Sequence, residues 1–163
     1  MINNEVIEEI VEFDFNSFWD TLQQKAAPCF EQLKFETYEH KRAFSDEDIL
    51  AFQLDSIIEN YEEKLVMPAY SIELSADFRS LVIYTEENEH EIKATLINYT
   101  NDNEFIDKLN VSYDEIAESA YSFESEIASG SVLTTSFTTW DETIIEKEKY
   151  LITEAGYFVK PGQ

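Results

Sequence analysis

The chain has 163 residues, with 35 acidic against 11 basic side chains and a formal charge of -24 at pH 7. Hydrophobic residues make up 44% and aromatics 14%, which excludes an acidic disordered chain, a class poor in aromatics. The sign of the charge argues against direct binding to DNA, RNA or an anionic membrane, no run approaches the ~18 apolar residues of a membrane span, and a single Cys29 cannot form an intrachain disulfide.

The length suits one acidic globular domain over 1–163. The start, Met1-Ile2-Asn3-Asn4-Glu5, has neither a basic nor an apolar leader region, and with the lone cysteine the expectation is a cytoplasmic protein. Residues 2–12 place Ile2, Val6, Ile7, Ile10 and Val11 on one helical stripe. Asp14 then reads as the N-cap of a second helix carrying Phe15, Phe18, Trp19, Leu22 and Ala26, which Pro28 interrupts. At 33–39, Leu33, Phe35 and Thr37 alternate with polar residues as in a strand, although Phe30, Leu33 and Thr37 also suit a helix.

Ser45-Asp46-Glu47-Asp48 has the form of a cap followed by an acidic first turn. The helix it opens would bury Leu50, Leu54, Ile57, Ile58, Tyr61 and Leu65 before Pro68 ends it. Its start, over 49–54, also fits a strand.

The clearest pattern is an antiparallel meander over 69–98. Tyr70, Ile72 and Leu74 alternate with polar residues, Leu81-Val82-Ile83-Tyr84 is an apolar run, and Ile92, Ala94 and Leu96 alternate again. We expect Leu81 and Ile83 to join Tyr70, Ile72, Ala94 and Leu96 on one apolar face, covered by helices, with a mixed opposite face. Beyond it, helical spacing is read three times. A short helix follows Asn101-Asp102-Asn103-Glu104 with Phe105, Ile106 and Leu109. A second starts at the capping-box pattern Ser112-Tyr113-Asp114-Glu115 and runs to Gly130. The last starts at 139–142, buries Ile144, Ile145 and Leu151, and ends at Gly156. A strand rich in Val, Thr and Phe occupies 131–138, and Tyr157-Phe158-Val159 adds an edge strand. The predicted class is therefore α+β, a central meander, extended by strands near 33–39 and 131–138, packed with amphipathic helices.

Catalytic motifs are missing. Three glycines cannot build a P-loop or a dinucleotide fingerprint, and Ser129-Gly130-Ser131 lacks the glycine pair of a nucleophile elbow. His40, His90 and Cys29 are too few for an ordinary zinc site. Asn101-Asp102-Asn103-Glu104 has Ile106 where a calcium loop needs glycine. No cofactor or metal is expected, and no enzyme. Carboxylate pairs always exist among 35 acids, but here they fall on polar faces, so an acidic housekeeping domain or a carboxylate hydrolase ranks last.

The charge itself points to a basic partner protein. The leading expectation is an immunity-type inhibitor of a toxin or another nucleic-acid-binding enzyme, most plausibly a nuclease toxin; the alternative is a phage-type DNA mimic directed at restriction or CRISPR machinery. Two clusters are candidate contacts. Glu86, Glu87, Glu89 and Glu91 stand at the meander tip without a neighbouring base in the loop, and Asp55, Glu59, Glu62 and Glu63 share the middle helix. The plainer reading of each is a solvated face.

Overall fold

A computed structural model describes residues 12–116, 121–138 and 143–162. The predicted α+β class is overturned: the chain is a mainly-β fold built on one ten-stranded sheet, with only three short α-helices among the described residues. The helices are α1 (Phe15–Thr21), α2 (Asp46–Ala51) and α3 (Leu54–Ile57), followed by a 3-10 turn at Tyr61–Glu63. The strands are β1 (Gln24–Ala26), β2 (Cys29–Glu31), β3 (Leu65–Glu73), β4 (Phe78–Asn88), β5 (Glu91–Thr100), β6 (Phe105–Glu115), β7 (Tyr121–Ile127), β8 (Ser131–Thr138), β9 (Thr143–Ile152) and β10 (Phe158–Val159).

The expected meander is present as β3–β4–β5 and continues through β6 to β10. Val, Ile, Thr and Tyr dominate its centre, residues whose branched or flat side chains fit a pleated, packed surface. The single segment 24–31 joins its two flanks. β1 pairs parallel with β3, and β2, just past the cis Ala27–Pro28 peptide, pairs antiparallel with β7. The pairings thus close a ring from 24–31 through β3, β4, β5, β6 and β7 back to 24–31.

One-sided burial of the meander is not found. Tyr70 stands opposite Val82, Val82 opposite Leu96, and Tyr84 opposite Ala94, so Val82 and Tyr84 join Tyr70, Ile72, Ala94 and Leu96 inside the curled sheet. Leu81 and Ile83 face the other way, with Ile97 and Tyr99, toward the helices. Because side chains alternate with period two, a one-residue difference in phase exchanges the faces of a whole strand. An apolar run such as 81–84 carries no mark of which phase applies. The helical side is an aromatic cluster around fully buried Phe52, whose ring lies 4.5–5.8 Å from those of Phe13, Phe15, Phe18, Trp19 and Tyr99. Tyr99 donates its hydroxyl to the Phe52 carbonyl at 2.8 Å.

The predicted helices fail for local reasons. Asp14 does cap α1, accepting from the Ser17 amide at 3.0 Å, but α1 ends at Thr21, and Gln24–Ala26 is strand. Asn101–Glu104 makes the β5–β6 turn, with Asn103 left-handed and Thr100 bonded to Glu104 and Asn103 across it; Asn and Asp favour turns for the same side-chain reasons that they favour caps. Ser112 and Glu115 look like a capping box yet lie within β6. The Ser112 hydroxyl accepts from the Leu33 amide and donates to the Phe123 carbonyl, and Glu115 accepts from the Tyr113 hydroxyl and the Tyr121 amide. Asp114 takes the Phe35 amide at 2.8 Å. The segment at 33–39 is consequently held by β6 side chains and turns over at Phe35–Thr37; it is not a strand. The helix expected at 144–151 is β9, with Ile144, Ile145 and Leu151 exposed. The helix read at 2–12 and the start of the last helix at 139–142 lie outside the described residues. The strands expected at 131–138 and 157–159 are found as β8 and β10.

The turn before β10 is pinned to the sheet. Gly156 has φ +93°, an angle that strains any other residue, and a Cβ there would press on Phe78 and Ile106 at 3.2 Å. Its carbonyl accepts from buried Asn98 at 2.9 Å, and Asp107 accepts from the Phe158 amide at 3.0 Å. Among the described residues no helix is long and apolar enough to cross a membrane.

Candidate acidic interface

The single helix expected from Ser45 to Leu65 is divided into three short pieces. Gln53 and Asn60 both take left-handed backbone angles, φ 59° and 54°, and each ends a helical run. Ser45 caps α2 as predicted, with a reciprocal box: its hydroxyl accepts from the Asp48 amide at 3.1 Å, and the Asp48 carboxylate accepts from the Ser45 amide at 3.0 Å. Asp55, Glu59, Glu62 and Glu63 are all exposed, but on α3, the following bend and the 3-10 turn, so they do not form one helical face.

The fold gathers acids differently, around Tyr61. Desolvation and then the carboxylates of Glu62, Asp55 and Asp46 raise the Tyr61 phenol above its ordinary pKa, and its hydroxyl donates to Glu62 at 3.4 Å. Tyr61 also lines a cleft of about 470 Å³ together with Leu50, Leu65, Asp46, Glu62 and Lys64. Leu50, expected in the buried stripe, is 63% exposed, and Leu65 is also exposed. The cleft thus joins exposed apolar side chains to two acids and one lysine.

The lysines nearest this surface are engaged by other groups of the fold. Lys64 Nζ lies 2.5 Å from Glu87 Oε2, and Lys93 Nζ lies 2.6 Å from Glu87 Oε1. Lys108 donates to the Ile57 carbonyl at the end of α3, and desolvation, then Lys93 and Lys64, lower its pKa. Burial acts to raise the pKa of Glu87, but the hydrogen bonds from Lys64 and Lys93 outweigh it, and the net direction is down.

Glu87 is therefore an ion-pair centre, its side chain 13% exposed. The other tip residues are dispersed as well. Glu86 is half-buried, 3.9 Å from His40 Nδ1. Glu89 occupies the tight turn with His90 and is exposed. Glu91 is half-buried and stands across from Glu115 in the β5–β6 pairing. The loop 85–90 reads as unaccompanied in the sequence because its partner lysines lie outside it, Lys64 just before β3 and Lys93 on β5. Their proximity follows only from the register that sets Leu65 opposite Glu86 and Thr85 opposite Lys93.

A second polar centre lies inside the ring. Glu31 on β2 is 5% exposed, and its Oε1 has no hydrogen-bond partner among the described residues. Burial raises its pKa, opposed by the Tyr84 phenol, then Lys25 and the Tyr70 phenol. Cys29 reaches the Tyr70 hydroxyl at 3.9 Å, and the Lys25 ammonium lies 3.9 Å from the centre of the Tyr70 ring. The clefts at Tyr61, at Trp19 and at Phe18 are lined by other residues, so none of them leads a substrate to Glu31. Among the described residues no three His, Cys, Asp or Glu side chains are grouped to hold a metal. Compared with known proteins, the chain matches no family model, no curated protein and no solved structure.

Proposed function

We propose that this chain is a non-enzymatic, immunity-type inhibitor that seats the Tyr61 surface in the groove of a basic partner protein, a nuclease toxin being the partner class that best matches the charge. The observation that carries the reading is the Tyr61 cleft, where exposed apolar side chains lie beside acids and the one lining lysine is held by Glu87. Leu50, Tyr61 and Leu65 offer apolar and aromatic area of the kind that supplies affinity. Asp46 and Glu62 line it, Asp55 acts on Tyr61 from α3, and the one lysine in its lining, Lys64, has its ammonium paired with Glu87. Charge complementarity of this sort speeds association and selects partners. The DNA-mimic alternative requires acids held in long, phosphate-like rows; the division of 45–63 into short turns favours the inhibitor.

The test is calorimetric titration against a panel of purified basic nuclease domains at low and moderate salt. The expected result is tight binding to one member, weakened by salt. Asp55→Lys with Glu62→Lys, and separately Leu50→Asp, should each weaken it at least tenfold with the melting temperature preserved. Equal binding by these variants removes the Tyr61 surface from the proposal, and failure of every nuclease to bind at low salt removes the toxin reading.

A further inference from the structure

We propose that the outer face of β7–β8–β9 is a self-complementary interface on which two copies of this chain pack face to face. The strand β8 separates its side chains cleanly: Val132, Thr134 and Ser136 are buried, and Leu133, Thr135 and Phe137 point outward. Cross-strand register then fixes two rows over that outer face. Glu126 stands opposite Leu133 and Leu133 opposite Lys149; Glu124 stands opposite Thr135 and Thr135 opposite Lys147. An acidic column on β7 and a basic column on β9 therefore flank β8 symmetrically, about 5 Å away on either side.

Three properties single this face out. Its two rows carry two Glu and two Lys and sum to zero, in a chain whose net charge is -24, so like-charge repulsion between copies is relieved there. It exposes apolar side chains: Leu133 at 39% in the middle row and Phe30 at 57%, set beside Glu126 by the β2–β7 pairing. Finally, the charge pattern chooses one symmetry. A two-fold axis lying along β8 in the plane of contact keeps each row at its height and exchanges left for right. It sets Glu126 over Lys149, Glu124 over Lys147 and Leu133 over Leu133 of the other copy. The perpendicular in-plane axis would stack Glu on Glu and Lys on Lys. The permitted arrangement is an isologous dimer of aligned sheets, the ordinary geometry for packed sheets some 10 Å apart.

Sedimentation of the full chain at tens of micromolar tests this. The wild type should sediment as a dimer. Lys147→Glu with Lys149→Glu should be monomeric, and so should Glu124→Lys with Glu126→Lys, each weakening self-association at least tenfold. Mixed in equal amounts, the two double variants should form a one-to-one heterodimer, since every reversed charge again meets its opposite. Glu124 also accepts a hydrogen bond from Gln32, so unchanged melting curves are required of each variant. Leu133→Cys should be joined to its symmetry mate by a short bismaleimide, Cys29 being buried. A monomeric wild type, or double variants that do not associate when mixed, overturns the proposal. So does a dimer broken by the lysine changes but untouched by the glutamate changes, the result expected of edge-to-edge pairing along β9.

Discussion

Glu31 and Glu87 are both acids drawn out of water, and their environments drive them in opposite directions. Glu87 is met by two ammonium groups and has a lowered pKa. Its ionised form stabilises the fold above the ordinary carboxylate value of 4.5, and that contribution is lost as pH falls through the lower folded value. Glu87→Gln should therefore cost about 2–3 kcal/mol near pH 7, where it leaves Lys64 and Lys93 unpaired, and the deficit should shrink in acid; urea unfolding at both pH values measures it. Glu31 has a raised pKa, so its ionisation opposes folding. The cost is absent below 4.5, grows as pH rises through the folded value and is complete above it. Glu31→Gln is expected to raise the melting temperature at pH 7 by about 2–4 °C and to match the wild type below pH 4.5. A lower melting temperature at pH 7 would mean that the carboxylate is needed by Tyr70 and Tyr84.

At the level of elements, β6 does more than pair with its neighbours. Ser112 and Asp114 extend side-chain acceptors to the Leu33 and Phe35 amides, holding a segment that no ladder holds. Ser112→Ala with Asp114→Ala should release it, increasing amide exchange at Leu33 and Phe35 at least tenfold, while the Tyr70–Val82 region of the meander keeps its protection. These same residues explain where sequence reading stops. Strong alternation made β3 and β5 legible, turn chemistry and branched residues marked β8, and Asp14 and Ser45 were legible as caps. Ser112 and Glu115 have the spacing of a capping box, and Ile144, Ile145 and Leu151 the spacing of a helical stripe. Both signals are local, and the pairing that overrides them lies on other strands. The candidate surface divides along the same line. The exposure of Asp55, Glu59, Glu62 and Glu63 was legible from their polarity. The bend at Gln53 that exposes Leu50 and the lysines that neutralise Glu87 depend on tertiary register.

For the whole molecule, the charge is a standing cost. Among the described residues, Lys41, Lys64, Lys93 and Lys160 form ion pairs with carboxylates, which leaves most of the 35 acids repelling one another. Screening shortens the reach of that repulsion from ~10 Å at 0.1 M salt to ~3 Å at 1 M. Sodium chloride between these concentrations should raise the melting temperature by several degrees, and calorimetry that found a decrease would show the few ion pairs to outweigh the general repulsion. A basic partner would relieve the same repulsion on binding, so inhibitor and partner should melt together at a higher temperature than the inhibitor alone.

The ring of strands also sets an order of events. The segment 24–31 can pair with β3 once the chain has reached residue 73, but its antiparallel partner, Ser125–Ile127, arrives about a hundred residues after it. On a ribosome the closing segment is made first and completed last. Until then β7 lacks one neighbour, and the interior that Cys29 and Glu31 help to line stands open on that side. The slow step of assembly should therefore be long-range closure, and the nascent chain should be most exposed to capture by chaperones or by another copy's β7 during that interval.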